Sequence, residues 1–178
     1  MAPEIVAKHA NPDIKTDRFS LAVVLFLLWT NNHPLEGKKG CPVCMDAEHE
    51  RRIYGTNPVF IFDPDDSSNH PVQGIHKGAI TRWPFLPEYL RQEFIRAFSK
   101  EVLSDPSKRI IEQEWLRLFI RMKGEIYKCP CGEVYFADPV VPNQYPACRK
   151  TQFFPVLYKN IPLQPAGPPA DETLPLSY

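Results

Sequence analysis

The sequence lacks a charge excess. Its 21 basic and 21 acidic side chains cancel, which leaves no electrostatic case for nucleic acid, a membrane surface or an acidic partner. It also lacks a long apolar run: the longest, Leu21 to Trp29, falls well short of the ~20 residues that cross a bilayer. The opening Met-Ala-Pro-Glu-Ile has no charged segment leading into an apolar one, so no secretory signal is expected. There is no internal repeat. Cysteine is scarce and odd in number, five in all. Grouped as Cys-x-x-Cys and Cys-x-Cys, the cysteines fit metal knuckles or free thiols better than a disulfide framework, and they point to a reducing, cytoplasmic compartment.

What is present suits a packed core, with 43% hydrophobic residues. Twenty prolines are unevenly placed, several between Pro155 and Pro175, which marks that end as a tail or extended arm. Residues 16–30 read as a helix capped by Thr16 or Asp17. From Phe19 to Trp29 it is apolar on nearly every side, so it belongs in the middle of a domain with other elements wrapped around it. Asn31, Asn32 and His33-Pro34 stop it. Turn formers accumulate from Gly37 to Trp83, where Val59-Phe60-Ile61-Phe62 reads as a short strand or a buried extended segment before the polar turn Asp63 to Asn69. Two more helices are expected, about 87–103 and about 111–123, from the helical spacing of Leu90, Phe94, Ala97, Phe98 and Val102, and of Ile111, Trp115, Leu118, Phe119 and Met122. Short strands are expected at 126–136 and 153–161. The expected organisation is a mainly α unit over 1–125, a small β module over 126–161 and a Pro-rich tail over 162–178.

Several short motifs fall in a telling order. Ala2-Pro3-Glu4 is followed thirteen residues later by Asp17-x-Phe19-Ser20-Leu21-Ala22-Val23, which opens the apolar helix. His33-Pro34-Leu35-Glu36-Gly37 comes directly after that helix, and Asp105-Pro106-x-x-Arg109 with Glu114-Trp115 sits between and within the last two helices. Across residues 2–123 this set resembles the second half of the C-lobe of a serine/threonine protein kinase, from the Ala-Pro-Glu motif onward. The resemblance implies that Glu4 pairs with Arg109, that Asp17 accepts backbone N–H bonds from a catalytic loop, and that the 19–29 helix is the central post. With Met1 directly before Ala2, it also implies a cut at Ala-Pro-Glu. The glycine-rich loop, nucleotide-binding lysine, catalytic aspartate and metal-binding Asp-Phe-Gly of a kinase have no counterparts in the sequence. As it stands, then, the chain is expected to be no enzyme, with ATP and Mg belonging only to a parent kinase. Ala22 stands where glycine is usual and Phe19 where tryptophan is usual.

The stretch 38–82 is longer than most kinases have there. Its Tyr54-Gly55-x-x-Pro58 to Pro64 run and Asn69-x-Pro71 resemble bacterial kinases that accompany tellurium-resistance-type proteins. There a kinase, a PP2C-type phosphatase and a von Willebrand A-domain protein act as a triad. The resemblance implies a protein-docking module for the A-domain partner, which commonly holds a divalent cation that an acidic side chain can complete. Loss of the preceding kinase segments would uncover apolar surface, so self-association, collapse of residues 1–15 over the gap, or capture by a partner is expected.

Cys129-Pro130-Cys131-Gly132 resembles a zinc knuckle shortened by one residue, and Cys148 the end of a second, with Tyr145 in place of its first cysteine. The spacing between them falls within the ~15–20 residues of a zinc ribbon. Tetrahedral zinc needs four ligands, and Cys129, Cys131 and Cys148 make three. One reading is a bound zinc with a fourth ligand from Cys41, Cys44 or His49. The other is a ribbon that has lost its metal, with Cys41 and Cys44 as free thiols. As a nucleic-acid-binding ribbon, the rival function, residues 126–178 offer only Lys128, Arg149, Lys150 and Lys159 for phosphate contacts. His33 and His70 read as solvent-facing turn residues, and Asp63, Asp65 and Asp66 as a solvated turn. Trp83-Pro84-Phe85-Leu86 reads as packing or as a docking surface.

Overall fold

A capping box starts the longest helix. The Asp13 carboxylate accepts from the N–H groups of Lys15 and Thr16, both at 2.9 Å, while the Thr16 hydroxyl accepts from the Asp13 N–H at 2.9 Å. The computed structural model describes residues 1–41, 46–128 and 134–136, and in it this helix, α2, runs Ile14–Thr30. The cap is therefore Asp13, not Thr16 or Asp17: Thr16 occupies the third helical position, where it closes the box from the other side. Asn31 ends the helix in the left-handed conformation, φ 53°, which asparagine tolerates better than most residues.

The described residues are mainly helical. Before α2 comes a single turn, α1 (Pro3–Val6), with proline at its first position, where a missing N–H costs nothing. After it come α3 (Ala47–Arg51), which runs on into a π-helical turn at Arg52–Thr56, then α4 (Lys77–Arg82), α5 (Glu88–Ala97), α6 (Lys100–Ser104) and α7 (Glu112–Gly124). The sequence expectation of one helix over 87–103 is corrected to two. Phe98 leaves helical geometry, and Ser99, extended at φ −62° and ψ 151°, restarts the chain by accepting the Val102 N–H on its side chain. Two short strands follow, β1 (Ile126–Lys128) and β2 (Val134–Phe136), antiparallel with Tyr127 opposite Tyr135. The expected strand at 153–161, the remainder of the β module and the 162–178 tail lie outside the described residues.

The core is aromatic. Phe26, fully buried on α2, meets Phe60, Phe94 and Phe98 edge-on at 5.3–6.0 Å and lies 5.9 Å from Trp83. Phe62 and Trp83 stack at 4.4 Å, and Trp115 lies 5.3 Å from Phe94, which ties α7 to α5. Edge-to-face pairs of this kind add about 0.5–1.5 kcal/mol each beyond their area burial. Val59, Phe60 and Ile61 are buried as an irregular segment, with the Ile61 N–H donating to Pro34 O at 2.8 Å. Of the two alternatives for this stretch, the buried one is found and the strand is not.

One buried side chain holds the irregular region together. The Asn69 amide donates to Leu35 O at 2.9 Å and Val59 O at 2.7 Å, and its Oδ1 accepts the Lys39 N–H at 3.0 Å. Three strands of loop thus share one side chain, which does for them what a ladder of backbone bonds does in a sheet. Gly37 fits beneath it: a Cβ there would lie 1.7 Å from Asn69 O.

Candidate functional site

Glu4 and Arg109 are brought together from 105 residues apart. Arg109 Nη1 donates to Glu4 Oε1 at 2.8 Å and Nη2 to Oε2 at 2.7 Å, a two-pronged pair, and Nη1 also donates to Lys15 O at 2.9 Å. The guanidinium lies 5.3 Å from the centre of the Phe19 ring, a favourable position for a desolvated cation. The Arg109 side chain is 3% exposed and that of Glu4 16%. Burial alone would raise the Glu4 pKa, but the hydrogen bonds and charge of Arg109 outweigh it and hold the carboxyl below its ordinary value. The pair fastens α1 and the start of α2 to the segment before α7.

Asp17 is elsewhere. It sits on the first turn of α2, exposed, with no side-chain partner among the described residues. The helical repeat places it on one strip with Ile14, Leu21, Val24 and Leu28. Ile14 is 60% exposed, Val24 59% and Leu28 69%, whereas Phe19, Ala22, Val23 and Phe26 on the opposite side are buried. The expectation that α2 is wrapped on all sides is thus corrected: one face is packed and the other is open.

The open face continues onto α7. Two side-chain contacts join the helices: Arg18 Nε donates to Glu112 Oε1 at 3.1 Å, and Trp29 stacks on Phe119 at 6.5 Å while meeting Phe136 of β2 edge-on at 5.8 Å. Leu116 and Ile120, 59% and 64% exposed, flank this contact on the outer side of α7. Residues 1–15 do not close over the face. Ala2, Pro3 and Ala7 are buried, Ala7 and Val6 close against Gly55, while residues 8–15 are exposed.

No family model, curated protein or solved structure matches the chain. The case for a site therefore rests on this geometry. Cys129, Cys131 and Cys148, expected as zinc ligands, lie outside the described residues, as does Cys44. Among the described residues no three metal-ligating side chains converge. Cys41 Sγ lies 3.8 Å from His76 Nε2, and the other ring nitrogen of His76 accepts the Val72 N–H at 2.9 Å. That bond leaves the proton on Nε2, which makes His76 a donor to the sulfur rather than a metal ligand. His49 is engaged with Lys39 O and Arg52.

His33 is not solvent-facing as expected. It is largely enclosed, accepts the Leu35 N–H on Nδ1 at 3.2 Å and meets the Tyr54 ring edge-on, and burial lowers its pKa against the opposing pull of Glu36. His70 is exposed and bonded to Asp63 O. Asp63 folds its own turn by accepting the N–H groups of Asp65 and Asp66. Of Trp83-Pro84-Phe85-Leu86, Trp83 and Leu86 pack inward, while Phe85 is 46% exposed. Sequence reasoning missed Leu116 and Ile120. A signal was present, since both lie off the Ile111–Trp115–Leu118–Met122 stripe that defines the packed side of that helix.

Proposed function

We propose that this chain is a non-catalytic docking module, the C-terminal region of a serine/threonine protein kinase, which binds a von Willebrand A-domain protein in a phosphorylation complex. The observation that carries the docking part is the open apolar face of α2 and α7, mounted on a body fastened by Glu4–Arg109. Apolar patches of several side chains on a packed domain mark interaction surfaces. The kinase part is supported by the order of the motifs in the sequence and by the meeting of Glu4 with Arg109. The sequence holds none of the groups that phosphoryl transfer uses, so the role is binding rather than chemistry. No helix among the described residues is long and apolar enough to cross a membrane.

The test is a binding titration with the purified A-domain protein from the same cell. Saturable binding that is lost in Leu28→Glu and Ile120→Glu, with no affinity for duplex or single-stranded DNA, is the expected result. DNA binding that weakens steeply with salt, without A-domain binding, would overturn the reading.

A further inference from the structure

We propose that His33, Glu36 and Tyr54 form an acid-operated latch, in which protonated His33 draws Glu36 away from Tyr54 and releases the π-helical turn Arg52–Thr56 from the turn that follows α2. This goes beyond the docking reading and uses none of its residues.

In the closed form the neutral ring of His33 completes the turn after α2. Its Nδ1 accepts the Leu35 N–H at 3.2 Å, and the Glu36 N–H donates to His33 O at 3.1 Å. The Asn32 amide donates to His33 O and to Glu36 O, both at 2.9 Å. Glu36 then reaches a separate part of the chain: its Oε1 accepts the hydroxyl of Tyr54, 18 residues further on. The His33 and Tyr54 rings meet edge-on at 5.3 Å, which closes the cluster. Tyr54 belongs to the π-helical turn, whose Gly55 packs against Val6 and Ala7. Turns of this kind are rare and concentrate at functional sites.

A proton on Nδ1 does not fit this arrangement. The nitrogen becomes a donor and can no longer accept from Leu35, so two N–H groups face each other. A carboxylate oxygen stands 4.0 Å from Nδ1, and it is the same Glu36 Oε1 that holds Tyr54. Closing that gap to a hydrogen bond of about 2.8 Å moves the carboxylate by about 1 Å. The Glu36 side chain is 45% exposed, against 19% for His33, which leaves the glutamate room to swing. The imidazolium brings a full charge to that oxygen where the phenol brings only a dipole.

The charges around the ring set the direction of the switch. Glu36, on the same loop, favours the proton, while the ammonium group of Met1 opposes it. From the π-helical turn comes the Tyr54 phenol, on which Glu50 of α3 also acts; burial and the Glu36 bond raise its pKa, so it stays a neutral donor. Burial is the largest influence on His33 and holds it below the ordinary histidine value of ~6.5. The closed latch is therefore fully favoured above ~6.5 and gives way as pH falls towards the lowered value.

The experiment is hydrogen exchange of the full chain from about pH 8 to about pH 5, corrected for the chemical pH dependence of exchange, beside an NMR titration of the His33 ring. Protection of the 52–57 amides is expected to fall as the ring titrates, by up to about ten-fold per pH unit, the limit for a single proton. Protection in α5 and α7 is expected to hold. His33→Asn keeps an acceptor for the Leu35 N–H but takes up no proton, and is expected to stay closed across the range. Glu36→Gln still accepts from Tyr54 but forms no ion pair, and is expected to lose the step as well. Circular dichroism at neutral pH checks the fold of both variants. Unchanged protection at 52–57 while His33 titrates, or a step that persists in either folded variant, would overturn the proposal. So would a loss of protection shared by α5 and α7, which is acid unfolding of the whole chain.

Discussion

Replacing Glu4 by alanine isolates the contribution of the Arg109 pair. The guanidinium is buried, holds two bonds to the carboxylate, and would keep only Lys15 O and the face of Phe19 as compensation. Its Nε already has no hydrogen-bond partner among the described residues. Removing one member of a buried pair costs about 3–5 kcal/mol because the other charge stays desolvated. Glu4 is itself slightly wet, which places the expected loss at the lower end, about 3 kcal/mol. For a unit of this size that corresponds to a fall of roughly 10 °C in Tm. Glu4→Gln, which keeps the shape and one acceptor, should lose about half as much. Glu4→Leu with Arg109→Met removes both charges together and should be more stable than Glu4→Ala, since no ion is left stranded. Urea unfolding followed by circular dichroism measures all three. A Glu4→Ala variant within ~0.5 kcal/mol of the native chain would refute the reasoning, because that is the range of ordinary surface substitutions.

Further outcomes follow from the same structure. The Glu4 carboxyl titrates below its ordinary value in the folded chain, so the stability it supplies is present above the unfolded pKa of ~4.3 and is lost as pH falls through the folded pKa; Glu4→Gln should flatten that acid limb in a pH series of unfolding curves. Tyr54 behaves in the opposite sense: burial, with the Glu36 hydrogen bond, raises its phenol pKa, so its contribution is full below the ordinary tyrosine range of ~10 and lost at higher pH, and Tyr54→Phe should remove that alkaline step. Asn69→Ala leaves the Lys39 N–H and the Leu35 and Val59 carbonyls without their partner and should cost about 3 kcal/mol by urea unfolding. Gly37→Ala drives a Cβ into Asn69 O and should abolish the cooperative transition altogether.

The helical part of the fold was legible because its signals are local. The 3.6-residue spacing of Phe94, Trp115 and their neighbours marked the packed faces of α5 and α7, and the apolar density of residues 19–29 marked α2. Boundaries were less legible where two signals competed. Thr16 and Asp17 are good cap residues, but Asp13 wins because only from there can Thr16 close the box. Ser99 breaks the 87–103 pattern because its hydroxyl offers the Val102 N–H an alternative to a continuous helix. The region from Gly37 to Asn69 was least legible. It is held by Asn69 acting on backbone groups up to 34 residues away in sequence, and no periodicity records such contacts.

The open face was half legible. Composition shows that α2 is apolar on all sides, but not which side this chain leaves uncovered. That depends on where α5, α6 and α7 pack, which only the tertiary arrangement decides. Leu116 and Ile120 acquire meaning in the same way, by lying next to α2 rather than by their own spacing. Asp17 was singled out through the resemblance; it stands exposed on the first turn of α2 with no side-chain partner among the described residues, and the backbone bonds implied for it are not part of the described structure.

Hydrogen exchange of the full chain with and without saturating A-domain protein tests the docking face most directly. Added protection concentrated in the amides of 20–30 and 113–123 is the predicted outcome. Unchanged exchange in both helices while the partner is bound, or protection confined to other parts of the chain, would contradict it.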